Sequence, residues 1–447
     1  MRTDLRLALL LTRGSDRREW WRVTLTAVGA GLATGFGLAA IAVASLRGQY
    51  HVSIGNGLLD RPGERSGVVL TLLLLLVPVL GFLGQCARIG AVHRDRRLAG
   101  LRLAGASPAQ VRRIAALEAG LACLVGSAVA TVFSGLLLLV EWQRPPAAVW
   151  AGFAVTAVAV PLLGALVSTL ALRRVVASPL GRVRRVRPGT GGGPGAAFLG
   201  VALVMLLVGL LMAPSTFGGF GTAPALVFGV VIVTGVGAVW VTGAAARLTG
   251  RLLAARTGDP ATLIAAERLR DDPWAAARTH AAVLMVTVVG TGFVGVRQVL
   301  LGTLRARGPK MMAWDMSFYT TGVNLAGAAI LVGLAITLFG LAVGTAESLA
   351  TRRRGLAAQT AAGVPRAVLG RALLLETALP LAPAVALAGA GGMAISVWYA
   401  ALASADGSVP LLPLLVPVAV YAACLLAAAT SLPLLRRSVH PAELRYA

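Results

Sequence analysis

The sequence predicts an all-α polytopic membrane protein, with ten transmembrane helices arranged as two parallel four-helix repeats plus a two-helix insert. Three observations predict it. Apolar residues come in long runs, not in one helical stripe; basic residues crowd into alternate connections; and one basic, Gly-punctuated segment occurs twice.

The first observation sets the class. Apolar residues make up 57% of the 447 and charged residues 13%, where a soluble domain carries about 25% charged. Roughly 20 apolar residues in a helix cross the ~30 Å hydrocarbon core. In order, the runs fall at 23–46, 68–89, 115–140, 147–171, 196–212, 224–246, 281–304, 322–346, 372–402 and 410–434. "AVAS" at Ala42–Ser45 resembles a signal cleavage site, but the run before it is far longer than a 7–15-residue signal core, so the first span is read as retained.

The second observation sets the orientation. Of the 41 Lys and Arg residues, 33 lie before the first span, after the last, or in the connections near 86–115, 173–188, 247–280 and 347–371. The opposite connections hold seven. Positive charge stays on the cytoplasmic side during insertion, so both termini are expected to be cytoplasmic. The formal charge of +24 is explained by this placement and gives no sign of nucleic-acid binding.

The third observation sets the architecture. Gly105, Arg113 and Glu118 recur as Gly363, Arg371 and Glu376, each 258 residues later. "RREWWRVTL" before the first span parallels "DPWAAARTHA" before the seventh, and "ASPLGRVR" after the fourth parallels "VHPAELR" after the tenth. Six spans separate the copies, so both enter from the same side and the repeat is parallel. This divides the chain into a first four-span unit (1–188), an insert (189–250) and a second four-span unit (251–447). "RPGTGGGPG" (187–195) marks the first junction as a flexible linker and 247–273 marks the second.

Within the first copy, Leu98, Leu101 and Ala104 or Gly105 recur at helical spacing beside Arg96, Arg97 and Arg102, which predicts a short amphipathic helix at the membrane surface. Gly105 suits the left-handed position that closes a helix. After Ala106, Ser107 serves as N-cap with Pro108 in the first turn and Gln110 three residues on. The restarted helix is predicted to run through Arg112, Arg113 and Glu118 into span three. In the second copy Arg354, Leu356, Gln359, Gly363, Val364, Pro365 and Arg366 occupy the same layout. Pro365 replaces the capping Ser107, which predicts a looser restart or one shifted by a residue. A rigid elbow fused to a span can carry a push from a cytoplasmic partner into the membrane; simple positive-inside anchoring explains the arginines but not the repeated helix–Gly–cap–helix layout.

The segment "RRLAGLRLAGASPAQVRRIAALEAGL", its copy and the terminal "HPAELR" resemble the permease domain of the FtsX-like family of ABC transporters. The resemblance covers both four-span units, and ten spans with two such units is similar to the bacitracin-type branch. It implies a non-catalytic transmembrane subunit of a bacterial plasma membrane. That subunit pairs with cytoplasmic ABC ATPase subunits, two per permease chain, which bind the ATP and Mg. In the family the segment between the second and third spans of a unit contacts the ATPase. Here that is Arg96–Arg113 and Arg354–Arg371. The bacitracin-type branch carries a large outer domain between spans seven and eight, whereas here "RARGPKMMAWDMSFYTT" (305–321) is all that connects them. Export or extraction of an amphipathic, lipid-like or peptide substrate, as in efflux and antimicrobial resistance, is the implied activity. Its rival is ATP-driven signalling to an outer hydrolase or a sensor kinase, and a third reading is an ion-coupled transporter that uses no ATPase.

Other motifs carry less. A P-loop needs a Lys behind its glycines, and the one Lys, Lys310, lies in an outer connection. "GTGFVG" (290–295) matches a dinucleotide fingerprint but sits inside a span, where it reads as close helix packing. Cys86, Cys123 and Cys424 read as small buried apolar residues, and His51, His93, His280 and His440 form no ligand pair, so no metal is expected. Glu118 and Glu376 read as structural partners of Arg113 and Arg371. Arg297 falls inside span seven, about seven residues from its outer end, where a charge is a functional candidate. Trp314, in the short outer connection, is the second candidate substrate residue, although with Trp142, Trp150 and Tyr319 it also fits an interfacial belt.

Overall fold

The structure is a computed structural model. It describes residues 17–49, 59–60, 62–86, 100–142, 145–171, 223–307, 315–403 and 409–438. The fifth expected span, the 187–195 linker, Arg96, Arg97, Leu98, Trp314 and the terminal Pro441–Arg445 lie outside these residues. The described residues form helices and no strand, and eight helices are long and apolar enough to cross a membrane. The chain divides into two compact units, Met1–Arg185 and Val186–Ala447.

In the first unit, α1 (Arg17–Ser45) packs against α4 (Pro108–Glu141) and α5 (Ala147–Ala171). The second expected span is two helices, α2 (Pro62–Leu74) and α3 (Leu76–Cys86), parted at Leu75. Pro78 explains the break: it has no N–H for the Leu74 carbonyl and its ring crowds that carbonyl. The α1–α4 crossing is made close by glycine. A Cβ on Gly126 would overlap the Ala27 carbonyl oxygen, and one on Gly31 would lie 3.2 Å from the Gly126 oxygen. Small residues of this kind let membrane helices approach through their backbones. Beyond the crossing, Leu38, Leu138, Val149 and Phe153 form a buried cluster. Arg65, also buried, ties the ends of α1 and α2 by donating to the carbonyls of Leu46 (3.0 Å), Gly48 (2.8 Å), Leu59 (2.5 Å) and Asp60 (2.9 Å).

The second unit contains α6 (Ala223–Arg256), α7 (Pro260–Asp271), α8 (Pro273–Arg307), α9 (Met316–Thr351), α10 (Arg353–Ala361) and α11 (Arg366–Ala403). A 3₁₀ turn (Leu412–Leu414), α12 (Leu415–Ala429) and α13 (Leu432–Ser438) complete it. Its core lies where α6, α8 and α11 meet, around Leu284, Val288, Leu381, Val385 and Ala388. Three hydroxyls of this core are satisfied within their own helices: Thr287 donates to Val283, Thr291 to Thr287 and Ser396 to Gly392 carbonyl oxygens, as water-free surroundings demand. The 247–273 junction is therefore helical, since α6 runs on to Arg256 and α7 follows. In both units the outward faces are apolar, for example Val129, Val132, Phe133 and Val140 on α4. A surface of that size and character suits lipid contact, not water.

Candidate functional site: two elbows

The first elbow is built by hydrogen bonds that the backbone can make only around a glycine. A helical turn ends at Leu103, and Gly105 takes φ +95°. That conformation lets the Ala106 N–H reach the Leu101 carbonyl (3.0 Å) and the Gly105 N–H reach that of Arg102 (3.1 Å). This is the Schellman pairing, and its usual apolar contact is present: Leu101 and Ala106 pack against Val111 and Ala115. Arg102 adds a bond from Nη1 to the Ala106 carbonyl at 3.0 Å. Ser107 then caps α4, its Oγ accepting from the Gln110 N–H at 3.2 Å, with Pro108 as the first helical residue. From there α4 runs unbroken to Glu141.

The second elbow repeats the two backbone bonds. Gly363 has φ +91°, the Val364 N–H donates to Gln359 (3.1 Å) and the Gly363 N–H to Thr360 (3.0 Å). Leu356 and Val364 pack with Leu349, Leu369, Leu373 and Leu435. The restart is neither loose nor shifted. α11 begins at Arg366, 258 residues after Pro108, and the Pro365 carbonyl accepts from Val368 (3.1 Å) and Leu369 (3.3 Å). The register is held by the cap residue's carbonyl, which proline retains, while its fixed φ suits entry to a helix.

The carboxylates behind the elbows pair with arginines that the sequence pattern does not single out. Glu118 is buried and ion-paired with Arg22 of α1, also buried. Glu376 pairs with Arg352 Nη1 at 2.7 Å, and Arg352 Nη2 donates to Ser348 Oγ at 2.5 Å. Arg113 and Arg371 precede the glutamates by five residues, a spacing that does not share a helix face as three or four would. Arg371 instead lies 3.6 Å from Asp259. Asp259 caps α7 by accepting from Thr262 N–H (3.0 Å) and Oγ1 (2.6 Å). These Thr262 bonds, with Arg371 nearby, hold its carboxyl below the ordinary range. α7 braces the second elbow through Ala261 and Ala265, which pack on Ala372 with Ile264 and Val368. Further along the same face of α7, Arg268 is pressed down in pKa by burial and by Arg352.

Arg112, Arg354, Gly363, Pro365 and Arg366 are exposed, while Leu101, Arg102, Leu356, Gln359 and Val364 are partly buried supports. Leu103, absent from the sequence-based candidates, is 65% exposed on the first elbow. It falls off the Leu98–Leu101 face, which is the signal that marks it. Arg297 is also exposed, and its Nη2 donates to Asn324 Oδ1 at 3.5 Å, so a residue not singled out in the sequence is its partner. No family model matches this chain, and no curated protein matches it.

Proposed function

We propose that this chain is the permease subunit of an ABC transporter of the FtsX-like class, embedded in the bacterial plasma membrane with both termini cytoplasmic. Separate cytoplasmic ATPase subunits, two per chain, bind ATP and Mg and press on the two elbows. The observation that carries the reading is the duplicated elbow: the same two backbone bonds around a left-handed glycine, each elbow continuous with a long spanning helix. At 34 and 38 residues, α4 and α11 are about 51 and 57 Å long, well beyond the ~30 Å hydrocarbon thickness. Each helix therefore extends past the bilayer and joins its elbow without a joint between the two.

Exposed arginines and Leu103 on the elbows offer a charged rim and an apolar anchor, the composition that partner surfaces use. Tilting α4 and α11 would expel or extract an amphipathic, lipid-like or peptide substrate at the outer leaflet. The test is capture of a lone ABC ATPase by the full chain in detergent, followed by reconstitution. Gly105→Val combined with Gly363→Val is expected to leave ATP hydrolysis running while transport stops. Full coupling in that double variant, or failure of the wild-type chain to bind any ABC ATPase encoded beside it, would defeat the proposal.

A further inference from the structure

The α8–α9 surface around Arg297 has the make-up of a ligand site. Arg297 is exposed within the candidate span Thr279–Ala306. α8 runs on to Arg307, so the residue lies well inside the helix. Nine residues separate it from Ala306, which is about 14 Å of helix. A helical Cβ tilts toward the N-terminus, so the side chain sets out toward the middle of the span and away from the nearer interface. Among the described residues its one hydrogen-bond partner is the neutral amide of Asn324, itself exposed, at 3.5 Å. A guanidinium offers five donors, and a cation at this depth is costly unless an anion meets it.

The two helices supply no such anion. α8 contains no Asp or Glu, and α9 has Glu347 alone, 23 residues beyond Asn324. Asp315, at the start of α9, lies nine residues before Asn324, about 14 Å away along the axis. The pair is also held in place. One turn deeper, α8 and α9 meet where a Cβ on Gly327 would lie 3.2 Å from the Phe293 ring. Beside the pair, Gln298 is exposed as a further polar group, and Leu325 is exposed as an apolar flank.

We infer that this surface binds the anionic headgroup of a membrane amphiphile, with its phosphate or carboxylate seated on Arg297 and Asn324 and its chains along the apolar face of α9. The inference rests on the permease reading, for which it names the substrate chemistry: an anionic amphiphile that reaches the protein sideways through the bilayer. A planar guanidinium matches a phosphate or carboxylate through paired bonds, and Asn324 adds an amide N–H₂ donor.

The test uses the full chain alone in nanodiscs of mixed phosphatidylglycerol and phosphatidylcholine, with retained lipid counted by native mass spectrometry. Wild type is expected to retain phosphatidylglycerol over phosphatidylcholine by about five-fold, the effect of one basic side chain at an anionic headgroup. Arg297→Gln should abolish that preference and Asn324→Ala should reduce it. Arg297→Lys should keep most of it, and Arg305→Gln, changing an exposed arginine nearer the helix end, should leave it intact. Equal retention by wild type and Arg297→Gln, or an equal loss in Arg305→Gln, would overturn the inference. So would full displacement by glycerol phosphate, because the soluble headgroup would then be the ligand. ATPase capture by Arg297→Gln is measured in parallel. Equal lipid retention by wild type and Arg297→Gln with intact capture in both sinks this inference alone, and failed capture in wild type sinks the permease reading.

Discussion

Four glycines of the elbow regions make a test in which only the backbone differs. Gly105 and Gly363 sit at φ +95° and +91°, while Gly100 and Gly355 lie in the preceding helices, and an added Cβ would meet nothing within 4 Å at any of them. Packing therefore cancels, and torsion decides the sign. Gly→Ala in the left-handed region costs about 1–2 kcal/mol. The same change inside an exposed helix stabilises by about 1 kcal/mol. Gly105→Ala and Gly363→Ala should therefore lower the protection of the Ala106 and Val364 amides by about tenfold or more. Gly100→Ala and Gly355→Ala should raise protection of their short helices by about five-fold. Hydrogen exchange on the chain in nanodiscs reads both. Protection that rises or stays constant in Gly105→Ala and Gly363→Ala would show that the paired Schellman bonds do not hold the elbows, and the coupling argument would lose its footing.

Three further outcomes follow from the site. Arg22→Gln strands a buried carboxylate at Glu118 and should cost about 3–5 kcal/mol in detergent unfolding, with Arg22→Met plus Glu118→Leu recovering much of it; an unchanged midpoint in the single variant would contradict the buried pair. Ser107→Ala should cost about 1 kcal/mol and speed exchange of the Gln110 amide, whereas Pro365→Ala should leave the second restart nearly unchanged. The depressed pKa of Asp259 means that its cap stabilises α7 above the ordinary carboxylate range and fades as pH falls below about 4; amides of α7 should lose protection on that acid limb, and Asp259→Asn should flatten the dependence.

Much of the site was legible in the chain itself. Gly105 and Gly363 announced their turns because only glycine adopts that φ without strain, and Ser107–Pro108 announced the helix that follows. The same cap-then-proline signal stands at Asp259–Pro260, so α7 is within reach of the sequence inside the stretch that reads as the second junction. Pro78 likewise marked the break between α2 and α3. The Arg22–Glu118 pair was not legible, because 96 residues separate its members and only the packing of α1 on α4 joins them. The Arg297–Asn324 contact is hidden for the same reason: neither residue's neighbours in sequence record which helix lies alongside. Local backbone chemistry is written in short spacings, whereas side-chain partnerships across helices wait on the fold.

The two glutamates give the halves unequal load paths. Glu118 is moored to another spanning helix, so a tug on the first hinge strains α1 as well as α4. Glu376 is moored to Arg352 at the C-terminal end of α9, with α7 as an outrigger, so a tug on the second hinge would load α9 and α7 as well as α11. Twin joints with dissimilar anchorage would divide a single stroke between one neighbouring helix on one side and two on the other.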